Sequence, residues 1–253
     1  MRTAYGIDAP KLVRNFFLSG VVLLAGSGAA LAATLDNRPW AIWLCVFLLL
    51  PAVYSLGMFG LMLWESLVGK VNGRERILDL LRWKGDEIVL DVGCGRGLML
   101  VGAARRLTAG RAIGVDLWLD RDQSANDAAG PLDNARIEGV SDRVAVETAD
   151  MRGLPFADKS FDVVVSNWAV HNLEAEADRR QALSEMVRVL RPGGAILLTD
   201  IVNRNEYLAE LRKLGSSDIR LVVQSALKDL VLSAVSFGAY QPATIVARGF
   251  RAK

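Results

Sequence analysis

Two long runs without a charged residue constrain the fold of this chain more than any other feature of its sequence. They cover residues 16–35 and 40–64, and only the short segment 36–39 joins them. About 20 apolar residues in a helix span the hydrocarbon core of a bilayer, where a helix satisfies its own backbone polar groups. The sequence therefore predicts two antiparallel transmembrane helices, which form a hairpin within residues 1–69.

Basic residues surround the outer ends of this hairpin, whereas Arg38 is the only one between the two runs. Positively charged residues that flank membrane spans stay on the cytoplasmic side. We therefore expect an integral membrane protein with both ends of the hairpin, and the chain that follows, on the cytoplasmic side. The flanking residues are Arg2, Lys11, Arg14, Lys70, Arg74 and Arg76.

The first run also resembles a cleaved signal peptide. It combines a basic start, an apolar stretch and the small-residue segment Ala30-Leu31-Ala32. Its length, and the second span that follows at once, favour a retained helix. In either case the basic residues after the second run keep the rest of the chain on the cytoplasmic side.

Charge and cysteine content argue against several classes of partner. The formal net charge is only +2 and basic residues are mixed with acidic ones, so we expect no nucleic-acid partner. The two cysteines, Cys45 and Cys94, offer no disulfide framework. No group of histidine, cysteine and aspartate has metal-ligand spacing in the sequence, so we expect no bound metal.

From about residue 70 the pattern changes to short apolar runs that alternate with amphipathic stretches. This alternation is typical of a parallel sheet flanked by helices, and it predicts one α/β domain over residues 70–253. The apolar stretch 227–237 is compatible with a helix. The predicted strands are 88–92, 112–117, 144–148, 161–166, 195–200, 218–223 and 244–249, and the predicted helices are 74–83, 97–107, 131–138 and 180–190.

A glycine-rich turn follows the first predicted strand and is the strongest local signal for a ligand. Asp91 lies near the end of the strand, and Gly93, Gly95 and Gly97 follow at alternate positions. Such a turn at a helix start lets backbone approach a ligand closely. Dinucleotide enzymes use Gly-x-Gly-x-x-Gly, but the third glycine comes one residue early here, and position 98 is Leu98. An acid at the strand end disfavours phosphate and tolerates a cationic sulfonium.

Further motifs follow this turn in order: Ile113-Gly114-Val115-Asp116, Asp150-Met151, Leu154-Pro155-Phe156 before Ser160-Phe161-Asp162, and Leu190-Arg191-Pro192-Gly193-Gly194. With them, residues 74–203 resemble the class I S-adenosylmethionine-dependent methyltransferases, in the small-molecule branch that includes the ubiquinone and menaquinone C-methyltransferases. The resemblance implies a Rossmann-like domain with a mostly parallel seven-stranded sheet. Segment 118–130 departs from the family, either as a lid over the cofactor or as a solvated loop.

The resemblance implies S-adenosylmethionine as cofactor and places a set of residues around it. In the family the acid of the first strand and the glycines hold the amino-acid half, an acid after strand two holds the ribose, and an acid after strand three lies near the adenine amino group. Asp116 and Asp150 occupy the last two positions. The full set of expected cofactor-binding residues is Asp91, Gly93, Cys94, Gly95, Gly97, Asp116, Leu117, Asp150, Met151 and Asn167.

His171, the only histidine of the chain, follows the fourth predicted strand. Ligands bind beyond the carboxyl ends of the strands in open α/β sheets, so His171 is our candidate for taking a proton from the methyl acceptor. The alternative is a structural histidine that holds a loop.

We therefore expect methyl transfer to a small, hydrophobic or membrane-derived acceptor, such as a lipid or a quinone-like molecule. The alternatives are a nicotinamide-dependent oxidoreductase and a membrane scaffold that binds the cofactor without turnover.

Overall fold

The computed structural model describes residues 5–7, 9–34, 38–119, 127–222 and 243–250. These residues fall into two compact units. Of the described residues, those within Gly6–Val71 form one unit, and Tyr5 together with those from Asn72 onward forms the other.

The first unit is a pair of long helices, α1 (Pro10–Thr34) and α2 (Ala41–Trp64). Their contacts run in opposite directions along the two helices: Gly20 faces Leu56, and the Ser27 hydroxyl donates to the Cys45 carbonyl at 3.1 Å. A Cβ at Gly20 would lie 2.7 Å from the Leu56 side chain, so a larger residue would force Leu56 to shift. The two predicted helices are thus present and pack against each other in opposite directions.

Both helices are long and apolar enough to cross a membrane by length and composition, the second as part of the continuous helix Ala41–Leu78. This helix passes through a π-helical stretch, Glu65–Gly69, into α3 (Lys70–Leu78). The predicted helix 74–83 corresponds to α3. It begins at Lys70, because the second apolar helix continues into it, and it ends at Leu78.

The second unit is built on a seven-stranded sheet with the strand order β3-β2-β1-β4-β5-β7-β6. Strands β1 to β5 pair in parallel, whereas β7 is antiparallel to both β5 and β6. The predicted Rossmann-like, mostly parallel sheet is confirmed. The strands are β1 (Ile88–Val92), β2 (Arg111–Asp116), β3 (Val144–Thr148), β4 (Phe161–Asn167), β5 (Leu190–Asp200), β6 (Asp218–Val222) and β7 (Ala243–Arg248).

Helices cover both faces of this sheet, and the apolar residues of the central strands form one buried cluster on each face. The helix α7 has no counterpart in the sequence analysis, and α6 begins four residues before the predicted helix 180–190. The helices of this unit beyond α3 are α4 (Leu98–Ala104), α5 (Ala129–Ile137), α6 (Glu176–Val189) and α7 (Arg204–Lys213).

The predicted strand 195–200 begins earlier than expected, because Pro192-Gly193-Gly194 already lies inside β5. The pairing between β4 and β5 shifts register between Phe161 and Val163, which absorbs the extra residues as an irregularity. A Cβ at Gly194 would lie 2.7 Å from the Asp162 carbonyl oxygen, so glycine allows the two backbones to pass there. The expected helix 227–237 and most of the unusual segment 118–130 lie outside the described residues.

Candidate active site

The glycine turn between β1 and α4 lies at the carboxyl end of the sheet, where open α/β sheets bind ligands. Gly93, Gly95 and Gly97 have φ angles of +72°, +48° and +79°, which L side chains rarely adopt. A Cβ at Gly93 would lie 2.3 Å from the Cβ of Ala169, and one at Gly97 would lie 2.7 Å from the Cβ of Pro131. The turn is therefore packed between the loop after β4 and the start of α5.

The backbone N–H groups of this turn hold it against β2. The N–H groups of Gly93 and Cys94 both donate to the Val115 carbonyl, at 2.8 and 3.0 Å, and the N–H of Gly95 donates to Asp116 Oδ2 at 2.8 Å. The Cys94 thiol is buried in the core beneath the sheet edge. These hydrogen bonds fix the turn against β2, and Gly93 and Gly97 allow the loop after β4 and the start of α5 to pack closely on it.

Asp91 is a buried carboxylate at this edge, with 1% of its surface exposed. It accepts a hydrogen bond from the backbone N–H of Leu100, and among the described residues its Oδ2 atom has no partner. Burial, with a smaller contribution from the nearby charge of Asp116, raises the pKa of Asp91 to about 8. A buried acceptor without a partner costs free energy, so Asp91 is poised for a hydrogen-bond donor or a cation supplied by a ligand.

The raised pKa of Asp91 gives stability a pH dependence. The unfolded carboxyl titrates at about 3.9, so this group's contribution is fully favourable below that pH and is lost as pH rises from there through about 8. We expect Asp91→Asn to unfold at a higher temperature than the wild type without cofactor, with a gap that widens from pH 5 to pH 9. Thermal unfolding in detergent at both pH values measures it, and a gap independent of pH would contradict the assignment.

Asp116, at the end of β2, has its carboxylate fixed by two backbone donors. Gly95 N–H donates to Oδ2 and Trp118 N–H donates to Oδ1, both at 2.8 Å. Trp118 has a left-handed φ of +57°, and its indole N–H donates to the Thr148 hydroxyl, while Leu117 between them is exposed. Asp116 therefore joins the glycine turn to the loop after β2 in a set orientation.

Asp150 follows β3 and is clamped by Arg152. The guanidinium Nε lies 3.1 and 3.0 Å from the two carboxylate oxygens, and a further nitrogen reaches Asp178 at 2.9 Å. These hydrogen bonds to Arg152 hold the pKa of Asp150 below its usual range. Met151 lies next to the glycine turn, with its Cε 3.6 Å from a Cβ placed on Gly93. This contact between Arg152 and Asp150 was not predicted from the sequence.

His171 lies in a short helical turn, Val170–Asn172, directly after β4. Its Nδ1 is 2.5 Å from Asp200 Oδ1, and its backbone N–H donates to Asp200 Oδ2 at 3.1 Å. Asp200 ends β5, the neighbour of β4 in the sheet, and the Tyr207 hydroxyl of α7 also donates to it at 3.1 Å. Neither Asp200 nor Tyr207 was predicted as a site residue, although an acid at the end of a central strand is a signal that the sequence contains.

Asn167 is the last residue of β4 and pairs in register with Thr199 of β5. The next residue, Trp168, has a left-handed φ of +55°, and its backbone N–H donates to the Thr199 carbonyl at 2.8 Å. Non-glycine residues held in this conformation cluster at functional sites. The chain is thus bent sharply between the sheet and the turn that carries His171.

Comparison with known families explains this arrangement. Residues 90–198 match the family described as "Methyltransferase domain". This part of the chain is similar to a methyltransferase domain. The match covers the glycine turn, the acids after β2 and β3, and the His171 turn, and it confirms S-adenosylmethionine as the cofactor of this domain.

Several proteins resemble the methyltransferase domain in sequence. Methyltransferase GfsG of Streptomyces halstedii is 38% identical over 130 residues, which are 51% of this chain and 43% of the relative. The ubiquinone/menaquinone biosynthesis C-methyltransferase UbiE of Geobacter sulfurreducens is 33% identical over 128 residues, 50% of this chain and 46% of the relative. The chain therefore spans less than half the length of these curated relatives.

Solved structures agree on the fold. The geranyl diphosphate C-methyltransferase of Streptomyces coelicolor A3(2) superposes with a TM-score of 0.57 at 21% identity, over 76% of this chain and 84% of that one. The [4+2]-cyclase SpnF superposes with the same TM-score at 21% identity, over 72% of this chain and 82% of that one. Because a protein named as a cyclase shares this fold with a methyltransferase, the fold alone does not determine the chemistry.

Proposed function

We propose that this protein is a membrane-anchored enzyme that transfers the methyl group of S-adenosylmethionine to a small apolar acceptor. The observation that carries the proposal is the buried Asp91 carboxylate, whose Oδ2 lacks a partner among the described residues, beside the carboxylate of Asp116. With its pKa raised to about 8, Asp91 is mainly protonated at neutral pH, and a ligand that brings positive charge and hydrogen-bond donors favours its ionised form beside the carboxylate of Asp116. S-adenosylmethionine has an ammonium group, a sulfonium and a ribose diol.

The residues of the site fit this cofactor in charge and in space. Asp91 and the glycine turn would hold the amino-acid end, and the fixed carboxylate of Asp116 would accept the ribose hydroxyls. When bound, the cofactor supplies a methyl group on a positively charged sulfur. The protein's own contribution is to align the acceptor with that methyl group and to exclude water from the reacting atoms.

A nicotinamide cofactor fits this site less well. Its pyrophosphate would meet the two carboxylates, and the N–H groups of Gly93, Cys94 and Gly95 already donate to Val115 and Asp116 rather than outward. A scaffold that binds S-adenosylmethionine without turnover uses the same residues, so the release of S-adenosylhomocysteine by the purified protein decides between that alternative and an enzyme.

The membrane anchor is the second part of the proposal. The sides of α1 and α2 that face away from each other carry large apolar side chains, and Trp43 and Phe47 are 77% and 73% exposed within the described structure. Such a surface on two helices of 25 and 24 residues suits the hydrocarbon core of a bilayer. With the basic residues at the outer ends, this supports two crossings with the methyltransferase domain on the cytoplasmic side.

An acceptor drawn from the bilayer follows from this placement, since an anchored enzyme meets molecules dissolved in the same membrane at high effective concentration. Lipids and quinone-like molecules are the candidates. The relative named for ubiquinone and menaquinone biosynthesis, which is 33% identical over its aligned residues, supports this acceptor class.

The ribose contact gives the first test of the cofactor site. Asp116→Ala should weaken binding of S-adenosylmethionine at least about tenfold, because a hydrogen bond to a charged group contributes about 1.5–3 kcal/mol. Isothermal titration of the full chain in detergent measures the affinity. Asp142→Ala, a change at an exposed acid before β3, is the matched control. A loss of less than threefold in a folded Asp116→Ala variant would place ribose recognition elsewhere.

A further inference from the structure

The carboxylate of Asp150, just after β3, is saturated by a single residue. The backbone N–H of Arg152 donates to Oδ1 at 2.9 Å, its Nε lies 3.1 and 3.0 Å from the two oxygens, and its Nη2 donates to Oδ2 at 2.6 Å. An ionised carboxylate offers about four lone-pair positions. Within the part of the chain that the structure describes, Arg152 alone supplies the donors, so a further donor can bind only when one of them leaves.

The order of the strands places Asp150 beside the far end of the proposed cofactor site. Strands β1, β2 and β3 are neighbours in the sheet, and Asp91, Asp116 and Asp150 lie at or near their carboxyl ends. In S-adenosylmethionine the ribose separates the amino-acid end from the adenine. With the amino-acid end at Asp91 and the ribose at Asp116, as proposed, the adenine would extend toward β3. Its amino group is a donor that needs an acceptor, and Asp150 is the carboxylate at that position.

The guanidinium of Arg152 also contacts a second carboxylate. Its Nη1 donates to Asp178, in the first turn of α6, at 2.9 Å, and the side chains of Arg152 and Asp178 are 44% and 40% exposed. Exposed ion pairs contribute little free energy, because the partners are well solvated when they separate. Arg152 can therefore leave Asp150 at a small cost and remain paired with Asp178.

The backbone after Arg152 is held on α6 by other side chains. The Leu154 N–H donates to Glu185 at 2.8 Å, and Arg188 donates to the Leu154 carbonyl at 3.0 Å. Both partners lie on α6, and neither contact involves the guanidinium of Arg152. An exchange at Asp150 therefore moves one exposed side chain and leaves the segment between β3 and β4 in place.

We propose that Arg152 exchanges with the cofactor at Asp150: it pairs with Asp150 in the free protein and stays with Asp178 alone when the adenine amino group binds Asp150. This inference rests on the proposed cofactor site. S-adenosylmethionine and the product S-adenosylhomocysteine share the adenosine, so the return of Arg152 to Asp150 favours the release of either. Arg152 thus lowers the affinity for the adenosine end and speeds the departure of the product, a step that limits turnover in many enzymes.

Removal of the guanidinium tests the exchange by the direction of its effect. Arg152→Ala should tighten the binding of S-adenosylhomocysteine about twofold to fivefold, because the amino group no longer displaces an ion pair. Isothermal titration of the full chain in detergent measures the affinity. Arg136→Ala, which breaks an exposed pair with Asp133 on α5, is the control and should leave the affinity unchanged. Equal or weaker binding in a folded Arg152→Ala variant would overturn the exchange, since an arginine that merely supports the site gives that result.

Asp178→Asn should act in the opposite direction. It removes the carboxylate that keeps the displaced guanidinium, so S-adenosylhomocysteine should bind about twofold to fivefold more weakly. In the double variant with Arg152→Ala, the affinity should equal that of Arg152→Ala alone, because no guanidinium is left for Asp178 to keep. A purely structural contact between the two residues would instead weaken binding in both single variants. No effect of Asp178→Asn, or an effect that persists in the double variant, would overturn the exchange.

The purine itself gives a third measurement. S-inosylhomocysteine has an oxygen in place of the adenine amino group, so it has no amino group for Asp150 to accept. Displacement titration should show that Arg152→Ala tightens the binding of S-adenosylhomocysteine but not that of S-inosylhomocysteine. An equal gain for both ligands would overturn the exchange at the amino group while the cofactor site stands. A wild-type protein that binds neither S-adenosylmethionine nor S-adenosylhomocysteine would instead refute the proposed site, and with it this inference.

Discussion

Replacing Gly95 by valine is expected to lower the affinity for S-adenosylmethionine at least about tenfold. Gly95 lies in the middle of the turn with a φ of +48°, and its N–H donates to the carboxylate proposed to hold the ribose. In the proposed site the backbone of Gly95 meets the cofactor, so a side chain there would occupy the cofactor's space. A β-branched residue also strains a left-handed backbone by about 1–2 kcal/mol.

Valine at position 95 could weaken binding either by straining the backbone or by occupying the cofactor's space. Gly95→Asn separates these two causes, because asparagine tolerates the left-handed region and still adds a side chain. If the cofactor needs the space, both variants lose affinity to a similar degree. Titration with S-adenosylmethionine and thermal unfolding of each variant measure binding and strain separately. Asparagine that binds as tightly as glycine would show that only the backbone conformation matters and that the cofactor does not approach Gly95 closely.

The parts of the fold that were predictable from sequence depend on local pattern. Strands β1 and β3 lie at their predicted bounds because each is a short apolar run between clear turn signals. The glycine turn was equally predictable, because its three positive φ angles require glycine at positions 93, 95 and 97. Helix α7 was missed because its segment Arg204–Lys213 has only a narrow apolar face, and Tyr207 and Leu211 are buried by the sheet beside it.

The partners of the candidate site residues were less predictable than the residues themselves. Asp200 lies 29 positions from His171 in sequence, and only the pairing of β4 with β5 brings them together. No sequence motif marks Arg152, yet its guanidinium donates hydrogen bonds to both carboxylate oxygens of Asp150. Side-chain partnerships of this kind depend on strand order, which a single sequence specifies only through the resemblance to a family.

The boundary between the helical hairpin and the α/β domain also depends on side-chain contacts that the sequence does not reveal. The sequence places residues 1–69 together, but the Tyr5 hydroxyl lies 3.0 Å from Arg74 and also bonds to Glu138. Arg74 is 1% exposed, and a Cβ at Gly102 of α4 would lie 2.4 Å from its side chain. The residue before α1 therefore completes a buried cluster of the domain. Its contact with a residue after α2 supports the proposal that both ends of the hairpin lie on one side of a membrane.

Because Tyr5 belongs to this buried cluster with Arg74 and Glu138, a variant without the hairpin should retain Tyr5. A variant that lacks residues 7–69 and joins Gly6 to Lys70 by a short glycine-serine linker keeps Tyr5 in place, and the 2.7 Å bond from Lys70 Nζ to the Gly6 carbonyl places these ends together. Deletion of residues 1–69 instead leaves Arg74 and Glu138 without the hydroxyl. We expect it to unfold more easily than the linked variant, by about 1–3 kcal/mol.

The linked variant tests whether the proposed membrane anchor is needed for cofactor binding and methyl transfer. We expect it to leave the membrane fraction entirely and to bind S-adenosylmethionine as the full chain does, because every proposed cofactor residue lies in the domain from Asn72 onward. With acceptor in intact vesicles of native membranes, it should transfer methyl groups at least about tenfold more slowly, since the anchor no longer concentrates it at the surface. In detergent extract of the same membranes, the two proteins should work at similar rates. Equal rates on intact vesicles, or full activity on membrane-free cytosolic extract, would show that the acceptor does not come from the bilayer.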